Sequence, residues 1–232
     1  MSALSESSVA EMIDSLFPMS GSAAVAAFGG AFPQVFPPGV VVSEQGSTPR
    51  FVYGVLEGRV ETVVTTGQRE STVELHGPGS LLGLWSALGD ETSPHAVRTC
   101  ARTRLLVIPV DTLRALYDRE PSFAREVTSM IVRQVGRAQA ALADQKLRSA
   151  AERLARWLAE TTQPERLGSW VKLPISKQLL ASYIGTTPEH LAKGFIQLKD
   201  YGVEVRRKEV LVRDIASLRS FAQLDHATRN AA

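Results

Sequence analysis

The stretch from residue 172 to residue 214, KLPISKQLLASYIGTTPEHLAKGFIQLKDYGVEVRRKEVLVRD, admits few folds. Leu179, Leu180 and Ile184 share one helical face, and Gly185 then breaks the run with the backbone freedom that a tight turn needs. Thr187-Pro188-Glu189 follows: an N-cap, a first-position proline and a first-turn carboxylate. Leu191, Phe195 and Leu198 mark the buried face of a second helix, and Gly202 closes it. Val203, Val205, Val210 and Val212 alternate around Arg206-Arg207-Lys208-Glu209, a β-hairpin with a basic tip. Together these predict a helix-turn-helix with a wing. The competing reading, an αα-hairpin inside an enzyme domain, leaves the agreement of cap, turn and hairpin unexplained.

Charge supports this reading. The 232 residues carry a formal net charge of only +2, but residues 145–232 hold 15 Lys/Arg against 9 Asp/Glu, and residues 1–144 hold 11 against 15. The half with the helix-turn-helix is therefore the basic half, as phosphate contact requires. A single cysteine, Cys100, excludes an intramolecular disulfide and any four-cysteine metal site in one chain. The N-terminus carries Glu6, Glu11 and Asp14 and no secretory pattern. The apolar run Ala23–Phe32 is too short to span a bilayer. A cytoplasmic protein with no membrane partner is the expectation.

Met12, Ile13 and Leu16 predict a short helix within residues 1–20. Glycines at 39, 46, 54, 58, 67, 79 and 83 then separate short β-prone runs: Val40–Ser43, Phe51–Leu56, Arg59–Thr65, Ser71–Leu75, Arg98–Cys100 and Arg104–Pro109. This is the pattern of a barrel, sandwich or roll. A short helix through Tyr117 precedes Pro121, which opens a long helix reaching about Gln145 despite Gly136. Val127, Met130, Ile131, Val135, Ala138, Ala141 and Leu142 form its apolar stripe. A parallel copy of the helix in a dimer would cover that stripe, and so, on another face, would the chain's own β-roll. A further helix, Arg148–Glu160, and a polar loop, Thr161–Gly168, lead to the helix-turn-helix. The fold class is α+β: a β-roll sensing domain with an N-terminal helix (1–120), a long dimerisation helix (121–146) and a winged helix-turn-helix (147–232).

That order of parts resembles the cAMP receptor protein/FNR (Crp/Fnr) family of transcription regulators. The resemblance spans about residues 30–222 and rests on motifs in series. Phe36-Pro37-Pro38-Gly39 to Gly46, Val55-Leu56-Glu57-Gly58-Arg59-Val60 and Gly79-Ser80-Leu81-Leu82-Gly83 match the cyclic-nucleotide-binding-type roll. Arg153-Leu154-Ala155 matches the start of the DNA-binding domain, and Gly185 to Lys193 matches the recognition-helix signature. Within the family, the Thr-Pro-Glu sequence is similar to the Dnr/NnrR nitrogen-oxide-responsive branch. The resemblance implies a DNA face made of Ser176, Lys177, Thr187, Pro188, Glu189, His190, Lys193 and the wing residues Arg206, Arg207 and Lys208. Glu189 takes the place of the family's base-reading glutamate, and Lys193 stands where an arginine is usual, without arginine's planar fork.

The sensor departs from the family's cAMP pattern. Leu84 follows Gly83 where the ribose-binding glutamate would stand, Pro94-His95 occupies the place of the phosphate-gripping Arg-Ser pair, and Ala138 and Gln139 replace the adenine-facing hydroxyls. A phosphate needs convergent donors, so cAMP is not the expected effector. An iron–sulfur cluster needs several cysteines. The remaining pocket would be lined by Leu82, Gly83, Leu84, Trp85, Leu88, Pro94, His95, Val135, Ala138 and Gln139, with apolar walls suited to a small organic molecule. A haem held by His76 or His95, responding to NO or CO, is the alternative, although His76 before Gly77-Pro78 reads as a turn residue and Trp85 as core. No catalytic motif is present. The chain is expected to be a homodimeric, effector-responsive regulator of double-stranded DNA at palindromic promoter sites, with RNA polymerase a further candidate partner. The rival from another class is a ligand-binding module that contacts protein only.

Overall fold

A computed structural model describes residues 6–18, 28–162 and 166–222. Residues 23–27 of the apolar run and 163–165 of the polar loop lie outside the described residues. The chain forms two compact units, Met1–Arg137 and Ala138–Ala232.

The first unit begins with α1 (Glu6–Leu16) and continues with β1 (Phe32–Phe36), β2 (Val41–Ser43), β3 (Phe51–Glu57), β4 (Val60–Thr66), β5 (Arg69–His76), β6 (Leu81–Leu82), α2 (Leu84–Gly89), β7 (Ala96–Thr99), β8 (Thr103–Pro109) and α3 (Val110–Arg119). Two antiparallel sheets, ordered β1-β8-β3-β6 and β2-β7-β4-β5, make the roll. The six β-prone runs appear as strands. The sequence reading missed β1, where Pro33 sits in an edge strand, the two-residue β6, and helix α2.

Period-2 alternation gives the first sheet two buried faces. Tyr53, Val55, Leu105 and Val107 point toward Val60 and Val97 of the second sheet. Their neighbours Val52, Leu106 and Ile108 point the other way, onto Ile13, Leu16, Leu84, Leu113, Phe123 and Val127 from the helices. Phe17, Phe28 and Phe123 close this second core with ring centroids 5.1–5.5 Å apart.

Helix α4 (Pro121–Leu147) starts in the first unit and ends in the second. Its 27 residues give a length of about 40 Å. The apolar stripe expected for dimerisation is divided along this helix. Val127 is fully buried in the roll's own helical core, with Met130 and Ile131 half-buried against it. Val127 therefore has no surface to offer a second chain, and this corrects its place in the seam. Beyond that point Val135, Ala138, Ala141 and Leu142 are exposed, as is Val132, which the stripe omitted.

In the second unit, Ser149 caps α5 (Ala150–Thr161) with a reciprocal capping box to Glu152. β9 (Trp170–Lys172), α6 (Lys177–Tyr183), α7 (Pro188–Gln197), a 3₁₀ turn (Leu198–Tyr201), β10 (Val203–Arg206), β11 (Glu209–Val212) and α8 (Ile215–Phe221) follow. The wing is a three-stranded sheet, β10-β11-β9, because Trp170–Lys172 pairs with β11. The described residues include no helix long and apolar enough to cross a membrane.

One close approach in the roll is testable. At Gly58 (φ +85°) an added Cβ would lie 2.5 Å from the Arg102 carbonyl and 2.7 Å from the Thr103 Cα. At Gly67 (φ +61°) it would meet nothing within 4 Å. Gly58→Ala should therefore cost about 2–4 kcal/mol and Gly67→Ala only about 1–2 kcal/mol, read from urea unfolding. Equal losses would mean that backbone contact at Gly58 is not what requires glycine there.

Candidate nucleic-acid interface and effector site

The second unit's site is built from local signals. Ser176 caps α6 by accepting from the Leu179 amide at 3.1 Å. Gly185 makes the turn at φ +68°. Thr187 then caps α7, its hydroxyl accepting from the His190 amide at 3.3 Å, with Pro188 in the first turn. Leu191, Gly194 and Phe195 are buried, and Gly194 lets α7 approach Leu154 of α5. Pro188, Glu189, His190, Ala192 and Lys193 are all exposed on the front of the helix. The Glu189 carboxyl is held below its ordinary value by its own backbone amide and then by the Thr187 hydroxyl. It is thus a fixed anion at a helix N-terminus, able to accept a hydrogen bond.

A residue outside the predicted face holds this turn in place. Arg153 of α5 donates through Nε to the Ile184 carbonyl at 2.8 Å and through Nη2 to the Gly185 carbonyl at 3.4 Å. It also donates to the Arg148 carbonyl. Asp144 anchors Arg148 at 2.8 Å and Arg156 at 2.7 Å. No sequence signal marked Arg153 for this role, since its acceptors at the turn lie more than 30 residues away.

On the wing, Arg207 and Lys208 form the exposed tip, with Arg207 in the left-handed region at φ 44°. Arg206 is engaged otherwise: its Nε donates to Glu209 at 2.9 Å, and its guanidinium lies 4.2 Å from the Trp170 ring centroid. Only Arg207 and Lys208 of the expected wing cations make no ion pair among the described residues.

Within the first unit, the expected pocket residues Leu82 and Leu84 fall in two different cores. Leu82 packs in the core between the sheets, whereas Leu84, 1% exposed at the start of α2, packs in the helical core. Leu84 is sealed by its neighbours and is not a pocket wall. Leu88 is half-buried beside it. Trp85, expected in the core, is 50% exposed, because α2 turns it away from the face that carries Leu84 and Leu88. Gly83 caps α2 at φ 86°, and Pro94 is exposed. Val135, Ala138 and Gln139 lie exposed on α4.

A polar cluster occurs instead where the sequence suggested a turn. His76 ends β5 and is buried, so it is a strand residue inside the roll rather than a turn residue. Its Nε2 lies 3.5 Å from the Thr62 hydroxyl and 3.9 Å from Glu74. Arg137 Nε is 3.5 Å from Glu74 on the other side. Burial, helped by His95 and Arg137, pushes His76 down to about 4. Burial also lowers His95, and it raises Glu74 against the pull of Arg137. No group of three or more metal-ligating side chains occurs among the described residues. Burial, then Glu61, pushes the Cys100 thiol up to about 12, which leaves it protonated and unreactive.

Comparison with known proteins bears on both units. Residues 33–120 match the model of the cyclic nucleotide-binding domain, and residues 152–221 match that of the Crp-like helix-turn-helix domain. The nitrogen fixation regulation protein FixK of Rhizobium meliloti is 27% identical over 187 residues, 79% of this chain and 79% of that protein. A potassium channel protein of Rhodopseudomonas palustris is 33% identical over 99 residues, 43% of this chain and 24% of the channel's length. The structure of FixK2 from Bradyrhizobium japonicum is similar in fold, with a TM-score of 0.73 at 20% identity, covering 82% of this chain and 96% of that one.

The buried histidine makes stability depend on pH. Below its ordinary value of 6.5 the unfolded chain takes up a proton that folded His76 refuses until about pH 4. Stability is therefore lost as pH falls from 6.5 toward 4, by about 2 kcal/mol at pH 5. His76→Gln should remove that part of the loss when urea unfolding at pH 7 and pH 5 is compared. Equal pH dependence in the two proteins would show that His76 titrates normally.

Proposed function

The chain is a transcription regulator of the Crp/Fnr type, with a cyclic nucleotide-binding domain and a Crp-like helix-turn-helix, and we propose that it acts as a homodimer on a palindromic site under the control of a small organic effector other than cAMP. The observation that carries the DNA-reading half is the capped front of α7. Glu189 and Lys193 lie four residues apart on it, at the end of the helix that enters the major groove in this motif. A carboxylate accepts from cytosine N4 and an ammonium donates to guanine O6 or N7. His190 adjoins Glu189 on the same exposed turn, Lys177 borders a groove with Pro188 and Ala192, and Arg207 and Lys208 on the wing tip would meet phosphates.

The dimer is supported by the exposed part of α4. Val132, Val135, Gln139 and Leu142 recur at spacings of three and four, and their three apolar members are 64%, 48% and 55% exposed. The effector reading rests on the roll. A buried Leu84 offers no partner to a ribose, and Pro94-His95 offers no guanidinium to a cyclic phosphate. Effector binding would bias the orientation of the two recognition helices for half-sites one DNA turn apart.

Two experiments test this. Fluorescence anisotropy on a selected site and a scrambled duplex, across a salt series, should separate the two classes of contact. Glu189→Ala should weaken the selected site about ten-fold or more and relax base preference. Lys208→Ala should weaken both duplexes alike and flatten the salt slope by about one. Added cAMP should leave every curve unchanged. If Glu189→Ala weakens both duplexes equally, α7 does not read bases with this face. In the second experiment, Val135→Glu with Leu142→Glu should convert a dimer to a monomer by light scattering, and an unchanged mass would place the interface elsewhere.

A further inference from the structure

The front of α7 carries one residue that neither hydrogen bonding nor packing accounts for. Ile196 is 63% exposed, although the neighbouring front positions Glu189, Lys193 and Gln197 are polar. At about 100° per residue, Ile196 projects within about 20° of Glu189 and about 60° of Lys193. It therefore belongs to the same stripe, about 10 Å further along the helix axis.

The surroundings select an occupant. Ile196 borders a groove whose floor includes Leu191, Phe195 and Val205 and whose sides carry Lys177 and Lys199. Two lysines thus flank an apolar floor, with Lys193 on the same front. Cations beside an exposed branched aliphatic suit an anionic backbone that presents small apolar groups between its charges. The major groove of DNA does this through the C5-methyl of thymine. An acidic protein partner would match the lysines but would have to cover Glu189 as well.

We propose that Ile196 is a specificity residue that contacts a thymine methyl in each half-site, two to four base pairs from the pair read by Glu189. The separation follows from about 10 Å of helix rise against about 3.4 Å per base pair. This inference rests on the DNA-reading function of α7.

Replacing thymine by deoxyuridine removes the methyl and nothing else. A duplex selected by the full-length protein from random sequence should be scanned with single uracil replacements. For the wild-type protein, one position per half-site should lose about three- to five-fold in affinity, the size expected for one buried methyl. Ile196→Ala should lose a similar factor on thymine DNA and no longer distinguish uracil. Ile196→Val, which keeps a branched methyl surface, should retain part of the discrimination. Ile196 is exposed, so a folding failure is not expected, and unchanged circular dichroism serves as the control. If no uracil position affects the wild-type protein, or if Ile196→Ala keeps the same uracil penalty, the assignment is overturned. A wild-type protein that selects no sequence would overturn both this inference and the DNA-reading function. Sequence-selective binding without a uracil effect would overturn this inference alone.

Discussion

The recognition helix depends on one guanidinium. Arg153 projects from α5 and donates to the carbonyls of Ile184 and Gly185, the two residues at which the chain reverses between α6 and α7. These carbonyls end α6 and have no intrahelical partner, so without a donor they would need water. Hydrogen bonds from a charged donor contribute more than neutral ones. Asp144 stabilises the same corner through Arg148 and Arg156. The direction of α7, and with it Glu189, Lys193 and Ile196, is set from this corner. Gly185 completes it: its φ of +68° needs glycine, and the Gln145 side chain lies where a Cβ would project.

The roll solves a different problem. Its first sheet is buried on both faces, so its alternating residues serve two cores at once. The second sheet carries a polar network instead. Arg98 bridges buried Glu61 at 2.8 Å and Glu70 at 2.7 Å, and the Thr72 hydroxyl donates to Glu61 at 2.7 Å. A carboxylate that is 4% exposed is tolerable only with such partners. The described residues contain no buried side-chain nitrogen or oxygen left without a hydrogen-bond partner.

The chemistry inside the roll follows from that construction. Thr62, Glu74 and His76 are brought together by the β4–β5 ladder, which pairs Thr62 with Glu74 and Val60 with His76. His95 and Arg137 add their positive fields from β7's approach and from α4. Such a cluster brings donors and acceptors together inside the roll, which an apolar core alone would not. Burial, with these fields added, holds His76 neutral at physiological pH.

Much of this was legible in the sequence wherever the cause is local. Thr187-Pro188-Glu189 names its own helix start, because cap, proline and carboxylate act within one turn. The wing tip and the six strand runs follow from alternation and turn residues. Pairing across the chain was not legible. Val127 and Val132 look alike in sequence, and only packing against the roll buries the first and leaves the second exposed. His76 beside Gly77-Pro78 reads as a turn until β5 pairs with β4 and carries its ring inside. Leu84 and Trp85 are adjacent, yet α2 buries one and exposes the other. The sequence alone determined the capped helices, six of the strands, the basic half and the exposed polar residues at the start of the recognition helix, because these depend on neighbours within about four residues. The tertiary structure decided which apolar side chains are core and which are surface, and that Arg153 holds the turn, because those contacts join residues far apart in the chain.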